Sequence, residues 1–583
     1  MTKFITFISF LFITSILFAQ QRDVRVREYV SPVRIVWKQE SHLIQGVENL
    51  LREGNGQSDL VNKHICKIKS TEKEHPAILL DFGKELQGGL QIVTGMPKSH
   101  NPIRIRIRLG ESVSEAMCEI DGKNGATNDH AMRDFEVRLP WLGVMEVGNS
   151  GFRFARIDLL DDSTDLHIKE IRAISTYRDI PYKGSFRCND ERLNKIWQTG
   201  AYTVHLNMQD YLWDGIKRDR LVWIGDMYPE VMTINAVFGF NEVVPKSLDF
   251  AREITPLPNW MNTYSAYSIS WLLIQHDWYR HHGNLTYLTE QKAYIIGLLK
   301  QLISCIDEKG VEKLTGGRFL DWPSSENQPA IQAGLQAFMI LAMQAGEVLC
   351  KDLEEPNLAN ECAISAKRLI KATPFASKAF LESSLAHDAP GQKQAAALMA
   401  LTGLLDKHKA DKEYLSYNGA HGFSTFFGFY MLEAMAYAGN YEGAMQIIKE
   451  YWGAMIDLGA TTFWEDFNMK WLPNAAPIDE IVPKNKKDIH GDYGAYCYQG
   501  FRHSLCHGWA SGPTYWLSRH VLGISPVSPG FDTVSIKPNL GDLEWAEGTY
   551  PTPHGIIKVR HEKGVDGQIH SQIDVPNGIK VIQ

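Results

Sequence analysis

Two periodicities divide this chain. From about residue 21 to 180 the apolar positions alternate or fall in short runs. Ile103-Arg104-Ile105-Arg106-Ile107-Arg108-Leu109 alternates strictly, as a half-buried strand does. Residues 78–82, 90–93 and 152–159 are further short apolar runs, separated by Gly-, Asn- and Pro-rich turns. This pattern predicts an antiparallel β-sandwich. Near Asn194 the period lengthens. Residues 193–211, 265–281, 287–306, 331–349, 358–372, 392–405, 425–438 and 441–458 carry apolar residues at helical spacing. Ile331, Leu335, Phe338 and Ala342 form one stripe; Leu358, Cys362, Ala366 and Leu369 form another. Short Gly/Asn/Pro connections predict antiparallel helical neighbours, roughly a dozen in all, a number that suits a toroid of helical hairpins. No regular alternation of strand and helix occurs, which excludes a TIM barrel or a Rossmann fold. From about residue 523 the pattern returns to β, and no internal repeat is visible.

Length and composition narrow the class. At 583 residues the chain exceeds one core and predicts two or three domains. The 44% hydrophobic and 22% charged content is that of a globular protein. A net charge of −8 and a pI near 6.2 argue against nucleic acid or an anionic membrane surface as a partner. Residues 1–19, with Lys3 followed by an apolar run ending at Ala19, read as a secretory signal; the mature protein is expected to be exported, periplasmic or secreted, with no membrane attachment. An oxidising compartment permits disulfides, with Cys350–Cys362 and Cys497–Cys506 the nearest pairs, but eight scattered Cys read first as buried free thiols. His276, His281 and His282 lack zinc-ligand spacing, so no metal or other cofactor is expected.

The chemistry concentrates in three patches. Residues 214–230, DGIKRDRLVWIGDMYPE, place four acids, three cations and a Trp between apolar helical segments. Buried carboxylates must be paired or hydrogen-bonded, so such density belongs at a wet cleft or in a surface ion cluster. Residues 459–468, GATTFWEDFN, set Glu465 just beyond the helix predicted over 441–458. Residues 504–513, SLCHGWASGP, carry His507 and Trp509. The helical region holds 12 of the 15 Trp, and several adjoin acids: Trp213 with Asp214, Trp223 near Asp226, Trp322 beside Asp321, and Trp464 beside Glu465. Trp offers an apolar face to a sugar ring and an N–H to a hydroxyl, although helix packing accounts for many of them. Glycoside hydrolysis requires two such carboxyls across the scissile bond.

These segments, in this order, resemble the bacterial α-L-rhamnosidases of glycoside hydrolase family 78. The resemblance spans most of residues 75–560 and is carried by LLDFGKELQGGL, GFRFARIDLL, FRCNDERLNKIW, RDRLVWIGD, GATTFWEDF, SLCHGWASGP and the ending VLGISPVSPGFDTVSIKPNL…TPHG. It implies an (α/α)6 six-hairpin barrel at 183–522, flanked by β-sandwiches at 20–182 and 523–583. It also implies inverting hydrolysis of terminal α-L-rhamnose, or a closely related sugar, from oligo- or polysaccharides. Glu465 corresponds to the family's catalytic base. Asp214 corresponds to an Asp that binds sugar hydroxyls, and Trp223, Asp226, Asp321-Trp322 and His507 to substrate-contacting or orienting positions; Arg218, Trp464 and Trp509 beside them are expected sugar contacts. The acid motif departs from the family's R-D-E-R. This chain is one residue shorter and reads R-D-R, which puts Asp219 at the acid position, its side chain reaching ~1.5 Å less. Glu230 is the rival acid. Two other classes stay open: a six-hairpin hydrolase or lyase for uronic-acid oligosaccharides, using Lys217, Arg218 and Arg220, and a glycan-binding relative without turnover.

Overall fold

The computed structural model describes residues 23–120, 125–128, 133–496 and 498–582. The secretory-signal reading of residues 1–19 and the thiol of Cys497 lie outside them. Cys350, Cys362 and Cys506 are free thiols.

The N-terminal region is a nine-stranded antiparallel sheet. Its path runs Ile44–Gln45, Cys66–Lys69, Asp165–Arg178, Ala77–Thr94, Val144–Leu159, Ile103–Gly110 and Asp134–Leu139; Arg25–Val30 and Arg34–Gln39 pair off that path. The alternating stretch is a strand as read: Ile103, Ile105, Ile107 and Leu109 are buried, while Arg104 and Arg106 are half-exposed. Register shifts in Ala77–Thr94, after Asp81 and after Gly88, bulge this long strand, and bulges bend a sheet. One face packs Leu80, Leu90, Ile92, Phe152, Ile157 and Ile171. The short helix Val113–Met117 covers Leu79 and Phe154 on another face.

The helical body follows. Asp190 opens the helix Glu191–Asn207 by accepting the Arg192 and Leu193 N–H groups, and Asn327 and Asn440 cap Gln328–Asp352 and Tyr441–Asp457 in the same way. Six helices pack in a closed cycle: Ile224–Val237 on Ser265–His282, then Gln328–Asp352, Gln392–Leu401, Gly428–Tyr437 and Gly512–Trp516, which packs back on Ile224–Val237. The charged 214–230 stretch is thus split. Its second half enters this cycle as a buried helix that tolerates Pro229 within it.

The C-terminal region forms a four-stranded sheet and a three-stranded sheet. The four-stranded one takes its edge strand, Ser185–Cys188, from before the first long helix and pairs it with Trp545–Thr552. The barrel span expected from residue 183 therefore starts with a strand that belongs, by hydrogen bonding, to the C-terminal sheet.

Candidate active site

A pocket of about 410 Å3, open to solvent, is lined by Asp214, Arg218, Asp219, Trp223, Asp226, Tyr264, Tyr267, Phe319, Trp322, Glu465, His507 and Trp509. Trp223 and Asp226 stand at the N-terminal end of Ile224–Val237, Tyr264 and Tyr267 at that of Ser265–His282, and Phe319 and Trp322 just ahead of Gln328–Asp352. The site occupies the end of the helical cycle where chain loops and helix N-termini converge.

The loop 214–221 is closed on itself. The Asp214 N–H donates to the Leu221 carbonyl at 3.1 Å, and Asp214 Oδ1 accepts the Leu221 N–H at 2.9 Å. Asp219 and Arg220 both adopt left-handed backbone, at φ 55°. For residues with a Cβ this costs roughly 1–3 kcal/mol each and persists only where surrounding contacts dictate it. Those contacts come from the N-terminal sheet and the 501–508 segment. Gly151 N–H donates to Ile216 O at 3.0 Å, and Arg220 Nη2 donates to Asn149 Oδ1 at 3.2 Å. Gly508 N–H donates to Asp214 O at 2.9 Å.

Glu465 is fixed from three sides. Its N–H donates to Ser504 O at 2.9 Å, and Ser504 N–H returns a bond to Oε2 at 3.0 Å. Its carbonyl accepts Trp509 Nε1–H at 2.9 Å and the Thr425 hydroxyl. Arg218 then donates through Nη2 to Glu465 Oε1 and through Nη1 to Asp219 Oδ1 at 2.9 Å. The side chain of Glu465 is 3% exposed and that of Asp219 is 18%, so the better solvated carboxyl is Asp219.

Behind this pair lies an acid–imidazole relay. His507 Nε2 bonds Asp226 Oδ2 at 3.1 Å, and the Tyr267 hydroxyl donates to Asp226 Oδ1 at 3.1 Å. Burial opposes charge on His507, yet Glu465, Asp226 and Asp214 around it raise the imidazole above its ordinary value. Burial also lifts Asp226, with the bonds from His507 and Tyr267 opposing. Asp214 is raised well above the usual carboxylate range, first by burial and then by Asp219 and Asp226, with His507 opposing.

Nine expected residues line this pocket: Glu465, Asp219, Asp214, Arg218, Trp223, Asp226, Trp322, His507 and Trp509. Three do not. Glu230 is fully buried behind the wall: its Oε1 lies where a Cβ on Gly508 would stand, and its nearest donor is Asn207 Nδ2 at 3.5 Å. Burial, with Asp226 and Asp214 adding, holds it well above its ordinary value. Trp464 packs inward on Phe467 and His503. Asp321 caps the turn Trp322–Ser324, accepting from Ser324 N–H, Gln394 and Ser424. It orients Trp322 rather than facing a ligand. Tyr264, Tyr267 and Phe319 escaped the sequence reading.

A model described as the bacterial alpha-L-rhamnosidase 6 hairpin glycosidase domain matches residues 181–521. The chain belongs to this family. A bacterial alpha-L-rhamnosidase C-terminal domain matches residues 523–582. Among curated relatives of this six-hairpin chain is an alpha-L-rhamnosidase of Alteromonas sp. (strain LOR), 25% identical over 534 residues, or 84% of this chain and 54% of that one. The chain thus spans about half the length of that relative. The GH78 family rhamnosidase of Bacillus sp. GL1 superposes with a TM-score of 0.74 at 23% identity, covering 92% of this chain and 55% of that one. A rhamnosidase from Klebsiella oxytoca with rhamnose bound gives a TM-score of 0.66 at 18% identity, covering 85% of this chain and 96% of that one. These superpositions establish a shared fold.

Proposed function

We propose that this chain is an exported glycoside hydrolase that removes terminal α-L-rhamnose, or a closely related sugar, from oligo- or polysaccharides by single displacement. The carrying observation is the bridge of Arg218 between Glu465 and Asp219 inside an aromatic-walled pocket. Family membership supports the substrate class, and the closed cycle of six helices supports an (α/α)6 ring around the site.

Glu465 deprotonates a water on one face of the sugar while a carboxylic acid of the 214–220 loop protonates the departing oxygen. Inversion requires carboxyls about 6.5–9.5 Å apart, which leaves room for that water. Asp219 is the donor that geometry favours, since it faces Glu465 and is the better solvated. Asp214 is the second candidate, its carboxyl raised well above the usual carboxylate range by burial and by Asp219 and Asp226. Trp223, Trp322, Tyr264 and Phe319 supply faces for the ring's C–H groups.

The uronic-acid reading loses support from the same bridge, because the Arg218 guanidinium already engages two protein carboxylates. A glycan-binding role without turnover draws on the R-D-R motif. The deciding experiment is a panel of aryl glycosides and rhamnose-bearing oligosaccharides, with the first-formed anomer read by NMR. Release of β-L-rhamnose from an α-linked substrate is expected. Affinity for rhamnosides with no release would replace the hydrolase with a binding protein.

A further inference from the structure

A second cluster of buried charge lies outside the pocket, between the N-terminal sheet and the helical body. Lys217 Nζ sits 3.0 Å from Glu111 Oε2 and 3.2 Å from Glu115 Oε1, and donates to the carbonyls of Phe501 at 2.8 Å and His503. Glu115 also accepts Arg133 Nη1 at 2.7 Å, and through its other oxygen the Glu111 N–H at 2.7 Å. The Glu111 and Glu115 side chains are fully buried and that of Lys217 nearly so. Glu111, Glu115 and His490 lie close enough to resemble cation ligands. Both His490 nitrogens, however, are engaged, with Ser112 Oγ and His503 O at 2.8 Å each. The positive charges facing these acids are the Lys217 ammonium and, on Glu115, the Arg133 guanidinium.

The reach of Glu111 gives the cluster its meaning. The oxygen that faces Lys217, on the loop carrying Arg218 and Asp219, also accepts the Leu505 N–H at 2.7 Å. Leu505 follows Ser504, whose own N–H holds Glu465 Oε2. One carboxylate of the sheet domain therefore ties both walls of the pocket together. The sheet domain braces the Glu465 loop a second time, through Arg153 Nη1 to Gly459 O at 3.0 Å and Glu85 N–H to Thr461 Oγ1 at 2.9 Å. Two consecutive left-handed residues, Asp219 and Arg220, follow Lys217 closely and need such external constraint.

We propose that Glu111 and Glu115 are positioning residues of the active site, acting through Lys217 to hold the 214–220 loop so that Arg218 and Asp219 meet Glu465. The inference rests on reading that loop as the acid-bearing wall. It makes the N-terminal sheet domain a working part of the site rather than an appendage.

The test pairs hydrogen exchange of the 214–221 amides with steady-state kinetics on an aryl rhamnoside at pH 8, using the full chain. Lys217→Met should speed exchange in this loop by about tenfold or more and spare the distant helices. It should lower kcat about 10–100-fold with KM held within about threefold, because the loss falls on the arrangement of the reacting groups. Glu111→Gln, which retains an acceptor for Leu505, should act in the same direction, and the double variant should be no worse than Lys217→Met alone. Wild-type exchange in Lys217→Met, or losses that multiply in the double variant, would overturn the proposal. If Lys217→Met does not fold, Glu115→Gln, which keeps Glu111 on Lys217, carries the same two readouts. A wild-type chain inactive on every rhamnoside would sink the hydrolase reading alone, and the exchange data would still decide the positioning role.

Discussion

Arg218 holds Glu465 with one terminal nitrogen and Asp219 with the other. A single guanidinium thus sets the spacing of the two carboxyls and neutralises part of their mutual repulsion. Replacing it with Met should leave both carboxyls in a largely buried wall without their shared donor. Arg218→Met is therefore expected to lower kcat/KM by about 100-fold or more, with Arg218→Lys recovering little because a lysine cannot bridge both partners. Steady-state kinetics on an aryl rhamnoside measures both.

Glu465→Gln should lose turnover by about 10²–10⁴-fold while retaining sugar binding, since Gln cannot deprotonate water but preserves the shape of the pocket. Calorimetric titration with L-rhamnose beside the kinetics separates the two effects. Turnover near the wild-type level would remove Glu465 from the mechanism.

The proton donor is identified by leaving-group dependence. The variant that removes it, Asp219→Asn or Asp214→Asn, should be severely slowed on natural glycosides yet close to normal on an aryl glycoside whose phenolate departs unaided. The other variant should affect both substrates alike. Loss of the alkaline limb of the kcat profile should accompany the true donor.

Gly508 abuts Glu230: a Cβ there would lie 1.5 Å from Glu230 Oε1. Gly508→Ala should destabilise the chain by about 1–3 kcal/mol through overpacking, measured by urea denaturation. Glu230→Gln should by contrast keep most activity, because this residue packs behind the wall and does not face the sugar.

Burial, with Glu115 adding and Lys217 opposing, pushes Glu111 up to about 7 from 4.5. Because the folded value lies above the unfolded one, its stabilising contribution is complete below the ordinary carboxylate range and is lost as pH rises through about 7. Thermal unfolding midpoints of Glu111→Gln should accordingly fall less than those of wild type between pH 4.5 and 7. The neighbouring Glu85 is raised well above its ordinary value by burial and by Glu111 and Glu115, so some slope will remain.

Much of this protein was legible in its local patterns. Strict alternation at 103–109 is enough to specify a half-buried strand, because side chains on a strand alternate faces with period two. Helical spacing marked most of the long helices for the matching reason. Acids placed beside aromatics led to Glu465, Asp214, Asp226 and Trp322, since few other settings tolerate that mixture. Asp219 and His507 came from motif order.

Tertiary structure decided which of these side chains share one space. Glu230 and Trp464 carry the same local signature as their neighbours, yet they turn inward against Gly508 and Phe467. Lys217 meets Glu115 across 102 positions of chain, and Arg218 meets Glu465 across 247. Periodicity reports only which face of an element is apolar. The partner that covers that face, and the charge that arrives with it, follow from the packing of distant segments.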